Sequence, residues 1–135
     1  MPARFMLDTN IVSYLLRDRT PTLKSRFLRA PPADAAVSTI TEAEVQFGIA
    51  KKPGAAKLRL AAENFLAGIA IFPWDSAAAR AYGTLRAEQE RKGRPLSVED
   101  LMIAAQALSL GLVLITNDQA FRFVEGLKTE DWTLP

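Results

Sequence analysis

The spacing of apolar positions changes several times along the chain, and each change marks an element. Residues 4–7 form a short apolar run ending at Asp8-Thr9-Asn10, which predicts a strand followed by a turn. Across residues 11–16, Ile11 with Leu15 and Val12 with Leu16 stand at helical spacing. Pro21–Arg29 predicts a second short helix and Ala35–Ser38 a brief strand. Thr41 opens a helix that ends near Pro53-Gly54. Residues 55–67 place Leu58, Ala62, Phe65 and Leu66 on one helical face, residues 69–72 predict a strand, and residues 77–91 an Ala-rich helix. Ser97 caps a helix that reaches Leu110 and stops at Gly111. Residues 112–115 are a continuous apolar run, as in a parallel strand buried on both faces.

Strands alternating with helices imply an α/β fold, one domain over residues 1–135 with a central, mainly parallel sheet and helices on both faces. Ligands in such folds sit beyond the carboxyl ends of the strands, so the residues just after each strand are the candidates for chemistry. Asp8 follows the first strand directly, and Asp118 follows the last predicted strand after Thr116 and Asn117. Asp100 lies in the first turn of the helix feeding that last strand, and Glu44 in the first turn of the helix after Ala35–Ser38.

Each of these acids also has a structural role open to it. Thr41-x-x-Glu44 and Ser97-x-x-Asp100 match capping-box patterns, and acids in a first turn complement the helix dipole. Asp8-Thr9-Asn10 and Asn117-Asp118 suit turns or N-caps. Asp100, however, heads the apolar stripe Ile103, Ala104, Ala107 and Leu108, so its carboxylate should face the sheet. A charge there is costly unless it is paired or bound to metal. Glu42 and Glu44 lie roughly 200° apart around a helix, so only one can face the site, and periodicity does not choose between them.

Composition narrows the chemistry further. The 135 residues include no Cys and no His. Disulfide frameworks, thiolate sites, Ser-His-Asp triads and His-ligated metals are therefore excluded. Carboxylates, hydroxyls, Lys, Arg, Tyr or a metal must supply any catalysis. The net charge is only +2, but neutralising four of the 15 acids would leave 17 bases facing 11 acids, which suits a polyanion. No segment resembles a signal peptide or reaches the length of a membrane span, so a soluble, cytoplasmic protein is expected.

Four motifs then recur in a telling order: Met6-Leu7-Asp8-Thr9-Asn10, Ile40-Thr41-x-Ala43-Glu44-Val45-x-Phe47-Gly48, Asp100-x-x-Ile103-Ala104-Ala105 and Ile115-Thr116-Asn117-Asp118-x-x-Phe121. Together they resemble the PIN-domain family. The tail, with Phe121, Val124, Gly126, Leu127 and Glu130-Asp131-Trp132, resembles the VapC toxins of toxin–antitoxin pairs, as does the Gly93-Arg94-Pro95 loop. The resemblance spans essentially the whole chain. It implies Asp8, Glu44, Asp100 and Asp118 as an acidic catalytic quartet and favours Glu44 over Glu42. It implies Thr9, Asn10 and Thr116 as supporting residues. The fourth acid is less uniform among relatives.

The resemblance further implies a metal-dependent ribonuclease acting on structured RNA, with the tRNA anticodon region, and initiator tRNA in particular, as the expected target. It implies a VapB-type antitoxin partner and a homodimer. Oxygen-only ligands favour Mg²⁺ or Mn²⁺. Asp8 and Asp100 are expected as core metal ligands, with Asp118 and Glu44 completing the site partly through water. Attack by water should leave a 3′-hydroxyl and a 5′-phosphate. Arg17, Arg19, Lys51, Lys52, Arg91, Lys92 and Arg94 flank the expected mouth in sequence and are candidates for RNA phosphate contacts. Ile11, Val12, Tyr14, Leu15, Leu16, Phe65 and Leu66 offer either a partner-helix groove or plain core.

Two other acidic-pocket folds fit less well. A receiver-type signalling domain needs a Lys after a late strand, and residues 112–121 contain none. A haloacid-dehalogenase-type phosphatase needs an Asp two residues after Asp8, where Asn10 stands. The alternative retained is a non-catalytic or receiver-like domain that binds Mg²⁺ in its acidic pocket.

Overall fold

The structure is a computed structural model that describes residues 3–93 and 96–135. Five strands form one sheet: β1 (Phe5–Leu7), β2 (Ala35–Ser38), β3 (Ala70–Phe72), β4 (Val113–Ile115) and β5 (Thr129–Glu130). Their order across the sheet is β3-β2-β1-β4-β5, and every pairing is parallel. Helices α1 (Thr9–Arg17) and α2 (Pro21–Arg29) link β1 to β2. Helices α3 (Thr39–Ala50) and α4 (Ala56–Ala67) link β2 to β3, and α5 (Ser76–Arg91) and α6 (Val98–Leu110) link β3 to β4.

Strand alternation explains why both faces are covered. Met6, Ala36 and Leu114 point to one face and pack with Ile103, Ala104 and Ala107 of α6 and with Phe121. Phe5, Leu7, Val37 and Ile115 point to the other and pack with Ile11, Val12, Leu23 and Trp132. The two faces therefore carry separate apolar layers, and the central strands are buried on both sides, as parallel sheets require. Tyr14, Leu15, Leu16 and Phe65 pack against the second layer, so these apolar positions of α1 and α4 serve the core. Helix α6 is buried on more than its expected stripe, because Leu101, Ala105 and Gln106 are also covered.

Element boundaries differ from the sequence reading at several places, and helix α1 begins at Thr9, within the expected turn, because Asp8 caps it. Helix α3 starts at Thr39, since Ser38 caps it by accepting the Ile40 N–H at 3.0 Å. Thr41 is thereby inside the helix and Glu44 falls in its second turn, so the Thr41/Glu44 capping box does not form. Strand β5 was not expected from the pattern. It is held by the Leu114 N–H bonded to Lys128 O at 2.9 Å and the Thr116 N–H bonded to Glu130 O at 3.0 Å. Among the described residues no helix is long and apolar enough to cross a membrane.

Trp132 closes the outer edge. It packs edge-on to Phe5 at 5.1 Å, donates its indole N–H to Glu130 Oε1 at 2.9 Å, and lies under the Arg26 guanidinium. Trp132→Ala should destabilise the protein by about 3–5 kcal/mol. Urea unfolding checks this, and a loss near zero would show that the tail is not part of the core.

Candidate active site

The strand order reverses between β1 and β4, which is where an α/β sheet opens a crevice at its carboxyl end. The register there pairs Leu7 with Ile115, so Asp8 and Thr116 emerge side by side. The Asp8 N–H donates to Ile115 O at 3.1 Å, extending the ladder by one bond. Asp8 is 2% exposed and is the N-cap of α1, with Oδ1 accepting the Ile11 N–H at 2.8 Å. Thr116, itself buried, hydrogen-bonds the same carboxylate.

Asp118 caps the short 3₁₀ turn Gln119–Phe123, with Oδ1 accepting the Ala120 N–H at 2.9 Å. Its own N–H donates to Thr116 Oγ1 at 3.0 Å. Asp100 stands in the first turn of α6, and its N–H donates to the Ser97 hydroxyl at 3.1 Å. The capping readings of Asp8 and Asp118 are thus correct locally, whereas at α6 Ser97 is the cap and the Asp100 carboxylate does not close a box with it; none of this competes with a role in a site. A cap uses one oxygen or the backbone and leaves the rest of each carboxylate available.

Electrostatics tie the three acids together. Burial, foremost, pushes the Asp8 carboxyl up to about 6, and the charges of Asp100 and Asp118 add to the rise. The Thr116 and Ile11 hydrogen bonds oppose it. Asp100 is also raised, first by burial and then by the charges of Asp118 and Glu99. Among the described residues no three acids already form a ready-made chelate. What the fold provides is a crowded, poorly solvated set of oxygen donors, the kind that suits a hard divalent cation.

Glu44 stands apart from this trio. It is exposed on α3 and lines a groove of about 330 Å³ with Thr9, Asn10, Ser13, Arg17 and Lys51. Glu42 does not line that groove. Thr9 is held by its hydroxyl, 3.1 Å from that of the buried Thr41. Of the expected RNA contacts, Arg17 and Lys51 reach the groove. Arg19, Lys52 and Arg91 are exposed and do not line it. Lys92 ends α5 and pairs with Glu88 at 2.8 Å and Glu125 at 4.0 Å, so its charge is already engaged. Arg94 lies outside the described residues. Sequence reasoning passed over Ser13, which lines the groove one turn after Asn10, and the hydroxyl pairing of Thr41. The spacing of Asn10 and Ser13 on one helix face was the available signal.

Comparison with known proteins now bears on this geometry. The PIN domain family model matches residues 5–127. The tRNA(fMet)-specific endonuclease VapC of Shigella flexneri is 36% identical over 131 residues, covering 96% of this chain and 98% of that protein. The chain belongs to the PIN-domain VapC ribonucleases. Ribonuclease VapC2 of Haemophilus influenzae (strain ATCC 51907 / DSM 11121 / KW20 / Rd) is 35% identical over 130 residues, with 96% and 98% covered. DNA-bound VapBC from Salmonella typhimurium superposes with a TM-score of 0.90 at 33% identity, covering 96% of this chain and 98% of that one. The protein is therefore a VapC-type toxin ribonuclease, and the receiver-like alternative is set aside.

The buried Asp8 charge makes stability depend on pH. Its folded value near 6 exceeds the usual 3.8, so the native state holds the proton more tightly than the unfolded chain. Stability of the metal-free protein should fall as pH rises from about 4 through 6 and then level off, by about 3 kcal/mol. Asp8→Asn keeps an oxygen for the Ile11 N–H and removes the charge, so it should flatten most of this slope, leaving the smaller part due to the raised Asp100, and be the more stable form at pH 8. Urea melts in EDTA across this range check it, and a wild-type curve rising with pH would contradict it.

Proposed function

We propose that this VapC ribonuclease is a Mg²⁺- or Mn²⁺-dependent endonuclease that cuts tRNA, with initiator tRNA the first candidate, and that a VapB-type antitoxin holds it in check. The observation that supports the reading is that Asp8, buried at the strand-order switch point, is raised by burial and by the charges of Asp100 and Asp118. The substrate follows from likeness to a relative named for tRNA(fMet), and the partner from likeness to a VapBC assembly.

Asp8 and Asp100 are the residues to hold the cation, with Asp118 beside them, while Glu44, set apart on the groove wall, would act through water. When bound, a divalent ion supplies an activated water and offsets charge building on the scissile phosphate. Thr116 orients the Asp8 carboxylate by its hydrogen bond, and the α1 N-terminus fixes the other side of the same group. Arg17 and Lys51 line the groove next to Thr9 and Asn10, where they can hold flanking phosphates. Hydrolysis by water leaves a 5′-phosphate and a 3′-hydroxyl.

Purified protein with tRNA should give discrete fragments bearing 5′-phosphates, stopped by EDTA and restored by Mn²⁺. Asp8→Asn and Asp100→Asn should abolish cleavage while circular dichroism shows an intact fold. Cleavage that persists undiminished in EDTA would sink the metal reading, and intact initiator tRNA beside cleavage of other RNA would sink the substrate. For the groove, Arg17→Ala combined with Lys51→Ala should lower the slope of log affinity against log salt by roughly 1.4, about 0.7 per lost phosphate contact on single-stranded RNA. An unchanged slope would remove these two residues from the interface.

A further inference from the structure

Three hydrogen bonds run in series between the elements that carry Asp8 and Asp100. The Thr9 and Thr41 hydroxyls are 3.1 Å apart, joining the first turn of α1 to that of α3. The Trp74 backbone N–H donates to the Thr39 hydroxyl at 3.1 Å, joining α3 to the connection between β3 and α5. The Trp74 indole N–H then donates to Met102 O at 2.9 Å, joining that connection to α6 two residues beyond Asp100. Trp74 is the one residue in the series that grips two separate elements.

A second anchor holds the same connection. Gln106 is 1% exposed, and its amide N–H group donates to Phe72 O at 3.2 Å and Pro73 O at 3.0 Å. Its Oε1 is buried with no partner among the described residues. A buried acceptor left unpaired costs stability, which an apolar side chain of that size would avoid. What only the amide provides is the pair of donors that pins the connection to α6. Helix α6 is one rigid rod, so a shift at Met102 or Gln106 moves Asp100 with it.

We propose that Trp74 is a positioning residue that fixes the separation of Asp100 from Asp8 by bridging α3 and α6, with Gln106 as its second anchor. The proposal rests on the metal-site reading above. Acting through the ligand-bearing helices, such residues typically change metal affinity by about tenfold when altered.

Trp74→Phe keeps an aromatic ring near Tyr82, 5.8 Å from the indole in the native protein, and removes the indole donor together with part of the ring. Gln106→Met removes the second anchor along with its unpaired oxygen. Free Mn²⁺ is followed by electron paramagnetic resonance as it is titrated into the full chain without RNA, with Tm measured alongside. Both variants, measured as folded protein well below their Tm, should bind Mn²⁺ about tenfold more weakly than the wild type, whether or not Tm falls. Their cleavage should recover as Mn²⁺ is raised, with KM for RNA unchanged. A purely structural role would lower Tm and leave the affinity of the folded protein alone. Should Trp74→Phe fail to fold, Gln106→Met decides the matter. Wild-type Mn²⁺ binding with unchanged affinity in the variants would overturn this proposal alone, whereas absence of wild-type binding would overturn the metal reading and this proposal with it.

Discussion

Burying like charges next to one another is the constraint around which this protein is arranged. Asp8 is covered almost completely, and Asp100 and Asp118 stand close enough to raise its proton affinity further. Nothing cationic among the described side chains is paired with Asp8; its recorded partners are the Ile11 N–H and the Thr116 hydroxyl. Those donors soften the charge without cancelling it, and the raised Asp8 shows the remainder. An arrangement that favours neutralisation so strongly has two ways to obtain it, a proton or a cation. Near neutral pH the proton is largely lost, and this is why the proposed function calls for a cation.

The sheet explains why the acids cannot escape one another. β1 and β4 are adjacent, three residues long and buried, so the residues that follow them are delivered to one point. The ladder continues through the Asp8 N–H to Ile115 O, which fixes the backbone on both sides of the crevice. Asp100 arrives from a different direction, at the first turn of a helix whose other faces are packed against the sheet and α5. Its position is set by core packing at Ile103, Ala104 and Ala107, with hydrogen bonds at Met102 and Gln106 adding the fine adjustment.

This division of labour decides what could be read from the chain. Periodicity located the six α-helices and four strands because those elements bury apolar faces, and burial leaves a pattern. The fifth strand escaped because two residues, Thr129 and Glu130, are too short to show any alternation. The start of α3 was misplaced because Ser38 and Thr41 are both competent caps, and the backbone entering from β2 settled on the earlier one. For the site, the rule that chemistry follows the strands found Asp8 and Asp118, and the apolar stripe found Asp100. Spacing could not separate Glu42 from Glu44, since that choice depends on how α3 is rotated against α1 and α4. The basic residues were the least readable: Lys92 and Arg17 look alike in sequence, and only the fold shows one paired with two glutamates and the other lining the groove.

Caps and ligands are often treated as rival explanations for an acid at the start of a helix, but the proposed site asks the same residues to be both. Asp8 satisfies a backbone donor of α1, and the helix dipole favours its charge. Asp118 does likewise for the turn after β4. Holding a carboxylate by one oxygen at a helix N-terminus removes its rotamer freedom while leaving the second oxygen directed away from the helix. A site assembled from such caps is ordered by local folding before any cation or substrate reaches it. That order reduces the entropic cost of binding, and the accompanying repulsion is the cost that binding removes.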